Sequence, residues 1–119
     1  MKKRIQSFKY AYKGIRNLVS SEINFQIHVT AAVLVLFAGF YLDLVAGEWI
    51  AVLLCFALVL SAEAFNSAIE ELVDFVSPGH HEKAGRIKDI AAGAVLITAI
   101  LAAVIGCVVF LPKIITRLN

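Results

Sequence analysis

The sequence lacks most of what marks a soluble nucleotide-using enzyme. Its 119 residues contain no Walker A pattern and no G-x-G-x-x-G run, which excludes the familiar soluble nucleotide-binding folds. Cysteine occurs only at Cys55 and Cys107, both inside apolar runs, so neither a disulfide framework nor a thiolate metal site is expected. No acidic residue precedes Glu22, and charge is absent from Trp49–Ala62 and from the 22 residues Ile90–Leu111. No internal repeat, low-complexity segment or second-domain boundary is present. A cleaved leader fits poorly: the first apolar run starts only after Glu22, Asn24 and His28, and no A-x-A-like site ends it.

What is there is apolar. Hydrophobic residues make up 61% of the chain and the mean hydropathy is +0.85. A soluble domain is closer to half apolar, and a chain this short has too little interior to hide the excess. Lipid is the natural solvent. Ile90–Leu111 alone reaches the about 20 residues that a span requires. Val29–Leu42 and Trp49–Ala62 reach it only with their polar flanks, which places those flanks near a membrane surface. The expected fold is an all-α membrane protein in one domain, 1–119, with a surface helix over 1–21 and transmembrane helices over 23–42, 48–76 and 89–111. In the first segment Ile5, Phe8, Tyr12, Ile15 and Val19 share one face flanked by Lys and Arg, the pattern of a helix lying in the interface. Pro78-Gly79 ends the second span.

Charge sets the orientation. Lys2, Lys3, Arg4, Lys9, Lys13 and Arg16 stand at the N-terminus, and Lys83, Arg86 and Lys88 in the loop Ser77–Asp89. The other loop, Asp43–Glu48, has acids and no base. The positive-inside rule makes the N-terminus and the second loop cytoplasmic. Lys113 and Arg117 then fall outside, a mild violation.

Against this background the stretch "AEAFNSAIEELVDFV", Ala62–Val76, stands out. Glu63, Asn66, Glu70 and Asp74 fall within about 80° of one another on a helix. With Glu22, Asn24, Gln26 and His28 on the first span and Lys88 and Asp89 before the third, they converge on one membrane level. Glu63 is the deepest acid, and a charge at mid-bilayer costs roughly 2.5–3.5 kcal/mol even on a lenient scale. Glu63 and Glu70 are about 10 Å apart along the axis, too far to share one metal. Glu70 is shallow enough to meet a hydrated cation and a soluble anion, and Glu63 deep enough to meet a lipid headgroup. A phosphoryl group passing from a soluble donor to a lipid hydroxyl would cross that gap. Mg²⁺ held by Glu22 and Glu70 plus phosphate oxygens, with Lys88 as a further positive charge, suits such a transfer. Plainer accounts exist: a solvated helix end for Glu70, Glu71 and Asp74, a satisfied structural acid for Glu63, and solvated loop residues for His80-His81-Glu82.

"AEAFNSAIEELVD", with E-x-x-N-[ST]-x-x-E at its heart, is followed by "HHEKAGRIKDIAAGAVL" and preceded by "SFKYAYKG" and "SEINFQIH". Together they resemble the small prokaryotic diacylglycerol kinase family, which includes undecaprenol kinases, over nearly the whole chain. The resemblance implies a trimeric lipid kinase of the bacterial inner membrane that needs Mg²⁺ and moves the γ-phosphate of ATP to a lipid alcohol. By position it makes Glu63 the catalytic base and Asn66 an active-site asparagine. Glu22 and Glu70 become the metal and ATP carboxylates, Lys88 and Asp89 a nucleotide-binding pair, and Tyr10, Gly79, His80 and His81 further nucleotide contacts. Lys3 and Arg4 stand where the family often has an arginine, and His28 where diacylglycerol-phosphorylating members can carry an acid. "NFQIH" and "FLPK", Phe110–Lys113, look more like the undecaprenol branch. Expected partners are ATP, undecaprenol or diacylglycerol, the bilayer and further copies of the chain, with no nucleic acid. Assembly is also expected because the polar stripe would face lipid in a monomer. A proton-coupled exporter using Glu63, or an assembly subunit without chemistry, are the alternatives of other classes; neither explains Glu22, Glu70, Lys88 and Asp89 together.

Overall fold

The computed structural model describes residues 1–119 as four helices: α1 (Lys2–Ser21), α2 (Ile23–Tyr41), α3 (Ala46–Val76) and α4 (Glu82–Leu118). The last three are long and apolar enough to cross a membrane, and the protein is an all-α multi-pass membrane protein. Because they alternate in direction, α2 starts, α3 ends and α4 starts at one end of the bundle, the end that carries α1.

A single residue separates α1 from α2. Glu22 has extended dihedrals (φ −98°, ψ 107°), its N–H donates to the Leu18 carbonyl, and its own carbonyl accepts the first hydrogen bond of α2 from Gln26. The Gln26 side-chain amide reaches back across the joint and donates to the Val19 carbonyl at 2.8 Å, satisfying an acceptor that the end of α1 leaves free. No residue of α1 is buried. Its apolar row, Ile5, Phe8, Tyr12, Ile15 and Val19, is exposed, as a helix resting on lipid requires.

The turn from α2 to α3 is a Schellman motif. Leu44 N–H donates to the Gly39 carbonyl at 3.1 Å and Asp43 N–H to the Phe40 carbonyl at 3.4 Å. Asp43 takes the left-handed position (φ 55°), which Asp tolerates better than most residues. Leu44 then buries itself with Val52 and Val109, against Trp49, Phe56 and Phe110. Gly39 makes this possible: a Cβ there would lie 2.6 Å from the Trp49 ring. The first turn of α3 is held by Glu48, whose carboxylate accepts from Val45 N–H at 2.9 Å, half of a capping box.

The fourth helix departs from expectation at both ends. It starts at Glu82 and not at Asp89, capped by His81, whose Nδ1 accepts from Lys83 N–H at 3.1 Å. The connection from α3 is therefore Ser77–His81 alone, and Lys88 and Asp89 stand on helix. Hydropathy locates where lipid begins, whereas Glu82, Lys83, Ala84, Arg86 and Lys88 are good helix formers that need no lipid. At the other end α4 runs through Pro112 to Leu118. There Lys113 pairs with Glu48 at 3.1 Å and Arg117 with Asp43 at 3.7 Å, and the Arg117 guanidinium lies 4.4 Å from the centre of the Tyr41 ring. The two bases that ran against the charge rule are thus matched by the two acids of the α2–α3 turn.

The bundle measures 57 × 43 × 21 Å. α3 and α4 pack along much of their length, α2 packs on α3, and α2 barely touches α4. Only 11 of 119 residues are buried, far fewer than a water-soluble domain could tolerate, so lipid or other protein must cover the rest.

Gly39→Ala is expected to destabilise the fold by about 1–3 kcal/mol through overpacking against Trp49. Thermal unfolding in mild detergent checks this, with Gly47→Ala, where an added Cβ meets nothing within 4 Å, as the silent control.

Candidate active site

The polar residues singled out in the sequence gather at the α1 end in three adjoining hollows and one buried pair. The first hollow, about 610 Å³, lies between α1, the α1–α2 joint and the last turns of α3. Asn17, Glu22, Ser67, Glu70, Glu71 and Asp74 line it, with no basic residue among its walls. The local field therefore favours a cation. Glu22 arrives because it is the joint itself; Glu70 and Asp74 arrive because α3 continues past the level of the joint. No three metal-ligating side chains stand close enough to hold an ion by themselves. Glu22 and Glu70, two of the four carboxylates that line this open hollow, suit Mg²⁺, which keeps part of its shell for water and phosphate oxygens.

Asp74 also faces the second hollow, about 350 Å³, lined by Gly79, His80, His81 and Lys88. Lys88 Nζ forms an ion pair with the Asp74 carboxylate across the α3–α4 corner. Asp89, the next residue on α4, lines the third hollow, about 690 Å³, again with His80 and His81. The structure therefore brings Glu22 and Glu70 together, and Lys88 with Gly79, His80 and His81, with Asp74 between the two groups. It does not bring Tyr10 to any of these hollows. That side chain is exposed on α1, with the Lys13 ammonium 5.9 Å from its ring centre. Lys3 and Arg4 are exposed as well.

Deeper in the bundle Glu63 is 3% exposed and Asn66, one turn along the same helix, 6%. His28 of α2 reaches Glu63, with Nε2 at 3.8 Å from the carboxylate Oε2. The Asn66 amide oxygen is buried without a hydrogen-bond partner, which is costly unless something else fills that role. These positions correct one expectation: Glu63, Asn66 and Ser67 are buried within a single chain, so the deep part of the stripe does not need a partner helix to cover it. Beyond His28, in the gap between α2, α3 and α4, a further hollow of about 310 Å³ is walled almost wholly by apolar side chains.

Two residues have roles that residue spacing did not disclose. Gln26 clamps the joint, and His28 is the neighbour of Glu63. A signal for the second existed: a histidine one turn inside an apolar span requires a polar neighbour, and Glu63 is the only acid at its depth.

Comparison with known proteins gives this geometry its context. Residues 9–110 match the prokaryotic diacylglycerol kinase family. The chain is 42% identical to an undecaprenol kinase of Bacillus subtilis over 108 residues, covering 91% of this chain and 88% of that protein. It is 38% identical over 111 residues to a diacylglycerol kinase of Synechocystis, covering 92% of this chain and 63% of that longer relative. It is 34% identical to a diacylglycerol kinase of Escherichia coli over 104 residues, covering 87% of this chain and 85% of that protein. A family match over most of the chain, with relatives this similar, two of them of near-equal length, leaves one conclusion: the chain belongs to the prokaryotic diacylglycerol kinase family of membrane lipid kinases.

Proposed function

We propose that this lipid kinase transfers the γ-phosphate of ATP to a membrane lipid alcohol with Mg²⁺, with undecaprenol the favoured acceptor and diacylglycerol the second. The observation that carries the mechanism is the stacking of two different environments: an open, acid-lined hollow at the surface and, beneath it, the buried Glu63 and Asn66 with the half-buried His28 beside Glu63. A soluble phosphate donor suits the first and a lipid hydroxyl the second. The acceptor preference is supported by the 42% identity to the Bacillus subtilis undecaprenol kinase, against 38% and 34% to the Synechocystis and Escherichia coli diacylglycerol kinases. A proton-coupled exporter would need Glu63 but not the surface hollows, and it does not accord with membership of a kinase family.

In this mechanism Glu63 accepts the proton of the acceptor hydroxyl as its oxygen bonds to the γ-phosphorus, and the bond from that phosphorus to the β-bridging oxygen breaks to release ADP. Asn66, with its free amide oxygen, orients the acceptor or the phosphate beside Glu63. Glu22 and Glu70 would hold the metal, which when bound would neutralise phosphate charge. Lys88 leaves its pairing with Asp74 to meet the phosphates, and Asp89, Gly79, His80 and His81 contact the nucleotide. Tyr10 contacts it as well if α1 of the same or a neighbouring chain closes over the site.

The test is transfer of labelled γ-phosphate to a panel of lipid alcohols by the purified protein. Wild type should label polyprenol most and diacylglycerol less. Glu63→Gln should lower turnover at least about 100-fold, as expected for a lost general base, while binding ATP normally. Near-normal turnover of that variant would remove Glu63 from the chemistry.

Glu70→Gln should raise the Mg²⁺ concentration needed for half-maximal rate and weaken ATP binding together, because phosphate oxygens complete the metal's shell. A lower rate with unchanged Mg²⁺ dependence would count against the metal assignment.

The site faces the cytoplasm of a bacterial inner membrane, and the working unit is a homotrimer. The charge distribution supports the first. The second is supported by the wide exposed apolar surface and by the small residues of α4, Ala92, Ala94 and Ala103, that let helices approach. Cysteines placed at Lys83 and Ala46 in a cysteine-free background should label from opposite faces of intact cells, and native mass in mild detergent should be three chains. Labelling from one face, or a fully active monomer, would overturn the respective assignment.

A further inference from the structure

Ser67 lines the acid-walled hollow, and the chemistry proposed above gives it nothing to do. It is 7% exposed, yet it stands in the wall with Glu22, Glu70, Glu71 and Asp74. A serine or threonine inside a helix commonly satisfies its hydroxyl by donating to a carbonyl three or four residues back. Ser7, Ser20, Ser21, Thr30, Thr98 and Thr116 all do so. Of the two helical hydroxyls that do not, Ser61 is exposed and Ser67 is buried. Small size does not account for the serine. Ala64 and Ala68 line the same wall, and alanine at 67 would be the better helix former with no polar group to satisfy. The hydroxyl itself needs a reason.

Its position supplies one. On α3, Ser67 lies about 6 Å along the axis beyond Glu63 and about 4.5 Å short of Glu70, roughly 40° and 60° around the helix from them. It is the rung between the proposed base and the proposed metal carboxylate, and a phosphoryl group in transfer must cross that interval. Donors are scarce there. The carboxylates only accept, Ser21 spends its hydroxyl on the Asn17 carbonyl, and Asn17 is exposed on α1. Lys88 stands outside this hollow and pairs with Asp74. Asn66, the neighbouring residue, is buried and does not line the hollow. A phosphoryl group in flight spreads negative charge over three oxygens, and a fixed donor beside one of them counts most where water is scarce.

We propose that Ser67 is a further catalytic residue, whose hydroxyl donates a hydrogen bond to an oxygen of the γ-phosphoryl group as that group passes from the nucleotide to the lipid alcohol. The inference rests on the lipid-kinase function proposed above and adds a group to its site. Ser67 keeps its proton and forms no bond to phosphorus. The acceptor oxygen bonds to phosphorus, the bond to the β-bridging oxygen breaks, and the acceptor's proton goes to Glu63. A neutral donor suits the place, because a cationic side chain there would offset the acidic field that favours a metal ion.

The experiment uses the full-length protein in lipid nanodiscs with ATP, Mg²⁺ and either a polyprenol or dioleoylglycerol. Ser67→Ala removes the hydroxyl and little else. It should lower kcat about ten- to 100-fold, the range for a lost hydrogen bond to a charged group. The ATP KM and the Mg²⁺ concentration for half-maximal rate should stay at their wild-type values, because the bond forms in the transfer and not in the resting complex. Its thermal midpoint should be no lower than that of wild type. The rate is expressed per nucleotide site, counted by equilibrium binding of a non-hydrolysable ATP analogue, so that unfolded protein does not enter the figure. A wild-type kcat per site overturns the inference. So does a shifted Mg²⁺ dependence, which would make Ser67 a metal ligand, and so does a variant that binds no nucleotide, which would give the hydroxyl a part in building the site. Each of these leaves the kinase function intact. A wild-type protein that phosphorylates no lipid alcohol overturns the kinase function itself.

Discussion

A carboxyl group in the middle of an apolar helix has to be covered, and most of the architecture at the α1 end follows from covering Glu63. Water is not available there, and an unpaired acid facing lipid would be expensive. α2 supplies His28 at 3.8 Å, and the surrounding helices reduce Glu63 to 3% exposure. Few other side chains in the protein are buried so completely: Val52 matches Glu63, and no side chain is fully enclosed. A chain that leaves most of its apolar surface open still gives three of its 11 buried positions to an acid, an amide and a hydroxyl. Stability alone would favour apolar residues there.

The opposite end answers a different constraint. Three helices with one short turn and a long tail have little to hold their register in lipid, where apolar contact between helices competes with equally apolar lipid. Directional contacts do that work: the Schellman hydrogen bonds at Leu44 and Asp43, the Trp49 ring seated on Gly39, and the pairs Glu48–Lys113 and Asp43–Arg117. Glu48 has two duties, accepting from Val45 N–H and pairing with Lys113. The start of α3 is thereby tied to the end of α4. The positive-inside rule counts these bases as free charges; in the fold they are not free.

Much of this was legible in the sequence because lipid simplifies the code. Runs such as Ile90–Leu111 admit no other interpretation, and the spacing of Glu63, Asn66 and Glu70 fixed their common face before any contact was known. The matching motif then suggested roles for individual positions, and those roles remain proposals. What could not be read has a common cause, namely that it depends on contacts between elements. The helical state of Glu82–Asp89 follows from propensity and a histidine cap, to which hydropathy is blind. That His28 meets Glu63 depends on the rotation of α2 against α3. The burial of Asn66 inside one chain depends on how α3 is packed, and its polarity alone pointed to a second chain. Tyr10 shows the opposite limit: position within a motif named it a ligand, while in a single chain it stands apart from the hollows.

The joint at Glu22 has a mechanical consequence. One residue both ends the surface helix and begins the first span, and its side chain faces the acid-lined hollow. Gln26, tied across to Val19, links the two helices a second time. A change in the tilt of the surface helix would therefore carry a carboxylate of the hollow with it.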